Sequence, residues 1–427
     1  MRKVNIGIIG FGTVGSGVAK VISGRASLLR ERLGVNIVLK WVCDKDLKNR
    51  RAVRLPKGVF TTDVNKVIND PDVDIVVELI GGIHPAKEII FAALKNGKDV
   101  VTANKALLAD QGASIFRFAK ANGRKVYFEA SVGGGIPVIK ALREGLAANK
   151  ISAIFGIING TSNYVLSRMD KTGCDFKDAL KEAQRLGYAE RNPSLDINGG
   201  DSAHKLAILA SIAFNRDVTY KDIYVEGISR ISHSDIEYAR ELNSRIKLLA
   251  IAKLSGDNLE LRVHPTLISM DHPLAGVDGV FNAVYILGDL VGEELFYGKG
   301  AGSLPAASAV ISDIVDLAKC VDIFAAESAV FGRGKRIKNI SDISSKFYIR
   351  FSCIDRPGVF AKIADILGKN NISIASVIQK ERRREKTVPV IILTHEAPEA
   401  SVRKALKNID ALSNVKGKSV SIRMEQL

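Results

Sequence analysis

Glu190, Asp196, Asp201 and Lys205 stand close together in the run GYAERNPSLDINGGDSAHKLAILA, residues 187–210. Three carboxylates and an ammonium suit two tasks at once: holding a small zwitterion and moving a proton. Asn198, Gly199 and Gly200 break the chain just ahead of an apolar run from Ser202 to Phe214. That run is predicted to be a helix, with Asp201 at its N-cap or in its first turn. Lys205 follows four residues later, on the same face and about one turn away. Taken alone, the stretch reads equally as a solvated loop with a surface ion pair worth about 0.3–0.5 kcal/mol. His204, beside the lysine, points roughly 100° away on a helix and reads as a packing or hydrogen-bonding residue.

A proton donor acquires a purpose if something else carries a hydride. Residues 3–9 (KVNIGII) read as a strand running into Gly10-Phe11-Gly12-Thr13-Val14-Gly15, and a helix pattern follows from Ser16 to about Arg32. Glycines placed between strand and helix allow a tight turn, and the helix N-terminus turns free N–H groups toward a pyrophosphate. At the end of the second strand, Asn36 to Cys43, Asp44 could take ribose hydroxyls and favour NAD. Its neighbour Lys45 could meet a 2′-phosphate and favour NADP.

The elements that must hold these groups fall into three stretches. Strands at 74–80, 99–102 and 126–129 alternate with helices at 85–96 and 112–122, which indicates βαβ units and a parallel sheet. From about Gly135 the pattern changes to helices at 137–148, 175–186, 202–214 and 234–252, with strands at 152–158, 259–267 and 283–287, an α+β texture. Leu304–Cys320 is apolar at helical spacing and is expected to return to the first domain. Phe331–Lys346 is polar and Gly-bearing, a linker. Residues 347–427 then give strand, helix, two strands, helix and strand, the split βαβ order. The expected fold is α/β: a Rossmann-type nucleotide-binding domain at 1–135, completed by about 304–326, then a catalytic and dimerisation domain at 136–303. A linker at 327–346 leads to a ferredoxin-like βαββαβ domain at 347–427.

The 427 residues are 46% hydrophobic and 25% charged, the profile of a globular protein of two or three domains. No apolar stretch reaches membrane-spanning length. The basic, apolar N-terminus resembles a signal peptide, but its glycine pattern makes it a first strand, so a cytoplasmic enzyme is expected. Four scattered cysteines suggest neither a zinc site nor disulfides. The net charge of +16 raises nucleic acid as a partner. Aromatics are only 6% and are not interleaved with the basic residues, and the densest run, Lys380–Lys386, holds two glutamates. A basic surface attracting an anionic cofactor and substrate is the simpler account.

Several runs in order carry a family resemblance: Gly10–Gly15, VTANK at 101–105, EASVGGGIP at 129–137, NGTSNY at 159–164, the stretch 187–209, DHPLAGVDGV at 271–280 and FYGKGAGS at 296–303. Together they resemble homoserine dehydrogenase of the longer type that carries a C-terminal ACT domain. The resemblance implies interconversion of L-homoserine and L-aspartate 4-semialdehyde with NAD or NADP. It implies Lys205 as proton donor and acceptor, Glu190 and Asp201 holding substrate with Asp196 in support, and Lys105 beside nicotinamide and substrate. Thr13, Val14 and Gly302 would line the cofactor site. A sodium ion would be held by the Glu129 carboxylate and the carbonyls of Val132, Gly134 and Ile136. A homodimer or homotetramer is implied as well. The chain departs from the family at Arg191-Asn192, where an acidic residue in a D-P pair is common.

Hydride delivery to an aldehyde leaves a developing alkoxide that needs a proton or a fixed positive charge, and Lys205 supplies both. Asp355-Arg356-Pro357-Gly358 lies between the first strand and helix of the last domain, where the resemblance implies a small effector, threonine first. The alternative reading is a catalytically inactive, amino-acid-binding regulatory protein.

Overall fold

The computed structural model describes residues 2–46, 53, 55–319, 336–379 and 387–426. The end of the returning segment, the start of the linker and the basic run 380–386 lie outside the described residues. Two compact units are present. The first comprises Met1–Ile158, Ser202–Ile223 and Phe281–Lys335, and the second Asn159–Asp201, Tyr224–Val280 and Arg336–Leu427.

In the first unit, β1 (Arg2–Ile9), β2 (Val35–Cys43), β3 (Phe60–Thr61), β4 (Ile75–Glu78), β5 (Asp99–Thr102) and β6 (Val126–Tyr127) form one sheet in the order β3-β2-β1-β4-β5-β6. Every pair in it is parallel, as the alternation of strands and helices demands. Ile6, Ile8, Val42, Ile75, Val77 and Val101 fill its core. The returning segment forms the helix Ser303–Ala318, whose Ala307, Val310 and Ile314 join that core. The helix expected over 16–32 is two, Thr13–Gly24 and Ala26–Leu33. The helix expected from Gly112 begins at Lys105, because the Asn104 side chain caps it by accepting the Leu107 N–H. The helix expected over 137–148 is short, Val138–Lys140, followed by a π turn to Gly145. Three antiparallel strands complete the unit: Ile151–Ile157, Phe281–Gly288 and Gly292–Lys299.

In the second unit the helix expected over 234–252 is corrected. A helix covers only His233–Glu241, and Ser244–Ser255 is a strand paired residue for residue with Asn258–Ser269. Asn243, at φ 49, ends the helical path, and the tight Gly256-Asp257 turn folds the hairpin. The run IKLLAIA at 246–252 is buried on both faces, so it carries no alternation that would mark a strand. Beyond it come Val420–Met424, Ser344–Cys353, Val388–Thr394 and Ile374–Gln379, with helices Val359–Lys369 and Glu399–Asp410, which is the expected βαββαβ plan. Phe347, Phe351, Ile363, Leu367, Val402 and Ile409 form its core. Among the described residues no helix is long and apolar enough to cross a membrane.

Candidate active site

The helix that begins at Gly200 and ends at Ala213 carries Asp201 in its first turn and Lys205 one turn later. Asp201 is buried at 3% exposure and Lys205 at 8%. The Lys205 ammonium donates to the Ile158 carbonyl at 2.7 Å. A lysine held this way, in little water, has a fixed position from which to give or take a proton.

The next residue, Asn159, organises the carboxylates. Its Oδ1 accepts the Ser162 N–H at 2.8 Å and so caps the helix Gly160–Thr172. That bond fixes which way the amide faces. Its Nδ2 then donates to Asp196 Oδ1 at 2.7 Å and to Asp201 Oδ2 at 2.8 Å. The Ser162 hydroxyl donates to the Asp196 carbonyl at 2.9 Å, fixing the backbone there too. Glu190 is exposed, and its carbonyl accepts from the Gln184 amide at 3.2 Å. In the Arg191-Asn192 pair, Asn192 Oδ1 accepts the Ser194 N–H at 3.3 Å and its hydroxyl at 2.7 Å. A carboxylate oxygen could accept the same two bonds.

Lys105 opens its helix at intermediate burial, and a buried network sets that helix start. Glu78, fully buried at the end of β4, accepts the Thr102 hydroxyl at 2.7 Å and the Ile80 N–H at 2.7 Å. Thr102 in turn accepts the Asn104 N–H at 3.0 Å, and the Asn104 amide donates to the Gly82 carbonyl at 2.6 Å. Sequence reasoning missed Glu78, whose one polar atom pair is hidden inside an apolar strand. The signal available was a lone carboxylate in the apolar run IVVELI at 75–80.

The Gly loop follows β1 as expected. A Cβ on Gly15 would lie 2.1 Å from the Gly10 carbonyl oxygen, so only glycine lets the helix start this close to the loop. Asp44 Oδ2 accepts the Phe11 N–H at 2.6 Å, tying the end of β2 to the loop, and Oδ1 accepts the Asp46 N–H at 3.0 Å. Gly10, Gly12, Asp44 and Lys45 line a cavity of about 630 Å³, the size of a cofactor cleft, together with Leu79 and Pro85. Phe11 is buried in the core, Val14 packs against it, and the Thr13 carbonyl accepts the Ser303 hydroxyl at 2.7 Å. Gly302, at φ 122, precedes that helix. These residues and Lys105 are not in the lining of the cavity.

Glu129 is 4% exposed, and its two oxygens accept the N–H groups of Ile139 at 2.9 Å and Lys140 at 2.7 Å. Burial pushes this carboxyl up to about 7 against those two bonds. Gly133 and Gly134 follow in the left-handed region, and a Cβ on Gly134 would lie 2.5 Å from the Gly300 carbonyl oxygen. The Ile136 carbonyl accepts the Val138 N–H at 2.8 Å. In the last domain Asp355, Arg356 and Val359 line a small cavity of about 40 Å³.

Three family models match the chain in succession: the homoserine dehydrogenase NAD-binding domain at 10–129, homoserine dehydrogenase at 137–315 and the ACT domain at 347–411. A homoserine dehydrogenase of Neisseria gonorrhoeae is 46% identical over all of both chains. One of Bacillus subtilis is 40% identical over 100% of this chain and 99% of its own. The crystal structure of a homoserine dehydrogenase from Thiobacillus denitrificans superposes with a TM-score of 0.93 at 45% identity, covering 100% of this chain and 99% of that one. A hyperthermophilic archaeal homoserine dehydrogenase mutant in complex with NADPH matches at a TM-score of 0.63 and 28% identity, over 74% of this chain and 97% of its own. Matched from end to end by these models and at 40–46% identity by full-length relatives, the chain belongs to the homoserine dehydrogenase family.

Proposed function

We propose that the protein interconverts L-homoserine and L-aspartate 4-semialdehyde, with Lys205 moving the proton. The observation that carries this reading is the helix start at Gly200, where Asp201 and Lys205 lie one turn apart, both buried and both held by the residues at 158–159. A bound nicotinamide supplies or accepts the hydride. Lys205 delivers its proton to the oxygen on which negative charge develops, and its charge steadies that oxygen beforehand. Asp201 orients the substrate hydroxyl, Asp196 and Glu190 meet the α-ammonium, and Lys105 stands on the nicotinamide side. Turnover of L-homoserine with NAD and with NADP tests the reading directly. No turnover with either would favour the regulatory alternative.

Gly10, Phe11, Gly12, Thr13, Val14, Gly15 and Gly302 would hold the dinucleotide. Asp44 already accepts two backbone N–H groups while Lys45 lines the same cavity, an arrangement that favours NADP. A kcat/KM ratio favouring NAD would reverse that preference. Glu129 with the carbonyls of Val132, Gly134 and Ile136 would hold a sodium ion. Oxygen donors suit a hard cation, and a cation would relieve the cost of ionising a carboxyl buried this deeply. Threonine is the first effector to titrate at the ACT domain, and a homodimer or homotetramer is the expected assembly, to be measured by light scattering.

A further inference from the structure

We propose that Asn159 is a positioning residue for the reaction: its amide locks Asp196 and Asp201 into one clamp and thereby sets the homoserine geometry. The inference rests on the reading of those two carboxylates as substrate-holding groups.

Two carboxylates brought to one site repel each other, and either could turn away into solvent or toward a nearby cation. Here one side chain opposes that. The Asn159 residue is 5% exposed, and its amide donates two hydrogen bonds and accepts a third. Its oxygen is committed to the Ser162 N–H, so the amide cannot flip, and both its N–H bonds must go to the carboxylates. One planar group therefore fixes the separation and the facing of the oxygens that would meet the α-ammonium and the hydroxyl. Asn159 itself touches neither the substrate nor the cofactor in this scheme; it acts through the two carboxylates.

The capping and bridging roles can be separated. Asn159→Ser and Asn159→Asp each keep an oxygen that can accept the Ser162 N–H; the aspartate loses both donors to the carboxylates, and the serine keeps one short O–H donor that cannot bridge the two. The test measures KM and kcat for L-homoserine, KM for the preferred dinucleotide and the melting temperature of both variants in the full chain. Asp201→Asn is measured in parallel. The expected result is a rise of about 10–100-fold in the homoserine KM or an equal loss in kcat/KM, the usual cost of misplacing reacting groups by an ångström, with the dinucleotide KM unchanged within two-fold. Homoserine kinetics within two-fold of the parent in both variants, with Asp201→Asn impaired, would overturn the role of Asn159 alone. Parent-like kinetics in Asp201→Asn would overturn the reading of the carboxylates and this inference with it. A parallel loss of homoserine and dinucleotide parameters together with a lowered melting temperature would also overturn it, since that pattern marks a merely structural residue. If Asn159→Asp fails to fold because it adds a charge, the neutral Asn159→Ser decides.

Discussion

Replacing Arg350 by Met tests how the ACT domain's first strand is tied to the helix His233–Glu241. Asp235, in the first turn of that helix, is fully buried. Its Oδ1 accepts from Arg350 Nε at 2.7 Å and the Tyr348 hydroxyl at 3.0 Å. Its Oδ2 accepts from Arg350 Nη2 at 3.0 Å, the Ser232 N–H at 2.9 Å and the Ser232 hydroxyl at 2.7 Å. Burial and the adjacent carboxylate push the Tyr348 phenol far up, so it stays a donor. Removing one partner of a buried pair costs about 3–5 kcal/mol, because the remaining charge is left uncompensated. Three donors stay on Asp235 after Arg350→Met, which places the loss near the lower figure, about 3 kcal/mol. For a cooperative unit of this size that lowers the melting temperature by about 6–12 °C. The chain has two units, so calorimetry should follow the individual transitions rather than one fitted stability. Asp235→Asn combined with Arg350→Met should recover more than half of the loss, since the charge and its partner leave together while the Ser232 bonds remain. A shift below about 2 °C for Arg350→Met, or no recovery in the double variant, would refute the reasoning.

Lys205→Met keeps most of the side chain's bulk and removes its ammonium, so kcat should fall by about 10²–10⁴-fold with little change in dinucleotide binding; near-parent turnover would remove Lys205 from the proton step. Gly15→Ala drives a methyl group into the Gly10 carbonyl and should weaken dinucleotide binding by at least about tenfold in a fluorescence titration, so an unchanged affinity would place the dinucleotide elsewhere. His264 is fully buried, and desolvation, with Arg423 and Arg262 nearby, holds its imidazole well below the ordinary 6.5. The folded state keeps it neutral while the unfolded chain gains a proton as pH falls through 6.5, so this stabilisation is present above that pH and lost below it. The slope from this one group is at most about 1.4 kcal/mol per pH unit, and His264→Gln should flatten the fall in urea stability between pH 6.5 and 5; parallel curves for the two proteins would exclude His264 as the cause.

Local pattern in the chain carries part of this fold. Glycines between an apolar strand and a helix, βαβ alternation and the βαββαβ order are written in neighbouring residues, and Asp99–Thr102 falls where the sequence puts it. The helix carrying Asp201 and Lys205 was legible for the same reason, since an i,i+4 pair needs only the helical period. The rest depends on partners far along the chain. Ser244–Ser255 is a strand because it pairs with Asn258–Ser269 and is buried on both faces, which periodicity cannot distinguish from a buried helix. Glu78 and Thr102 come from different strands, and Asn159 reaches Asp196 and Asp201 across 37 and 42 residues. A hydrogen bond has direction and short range but no fixed sequence spacing, so the fold alone could turn scattered polar residues into one clamp.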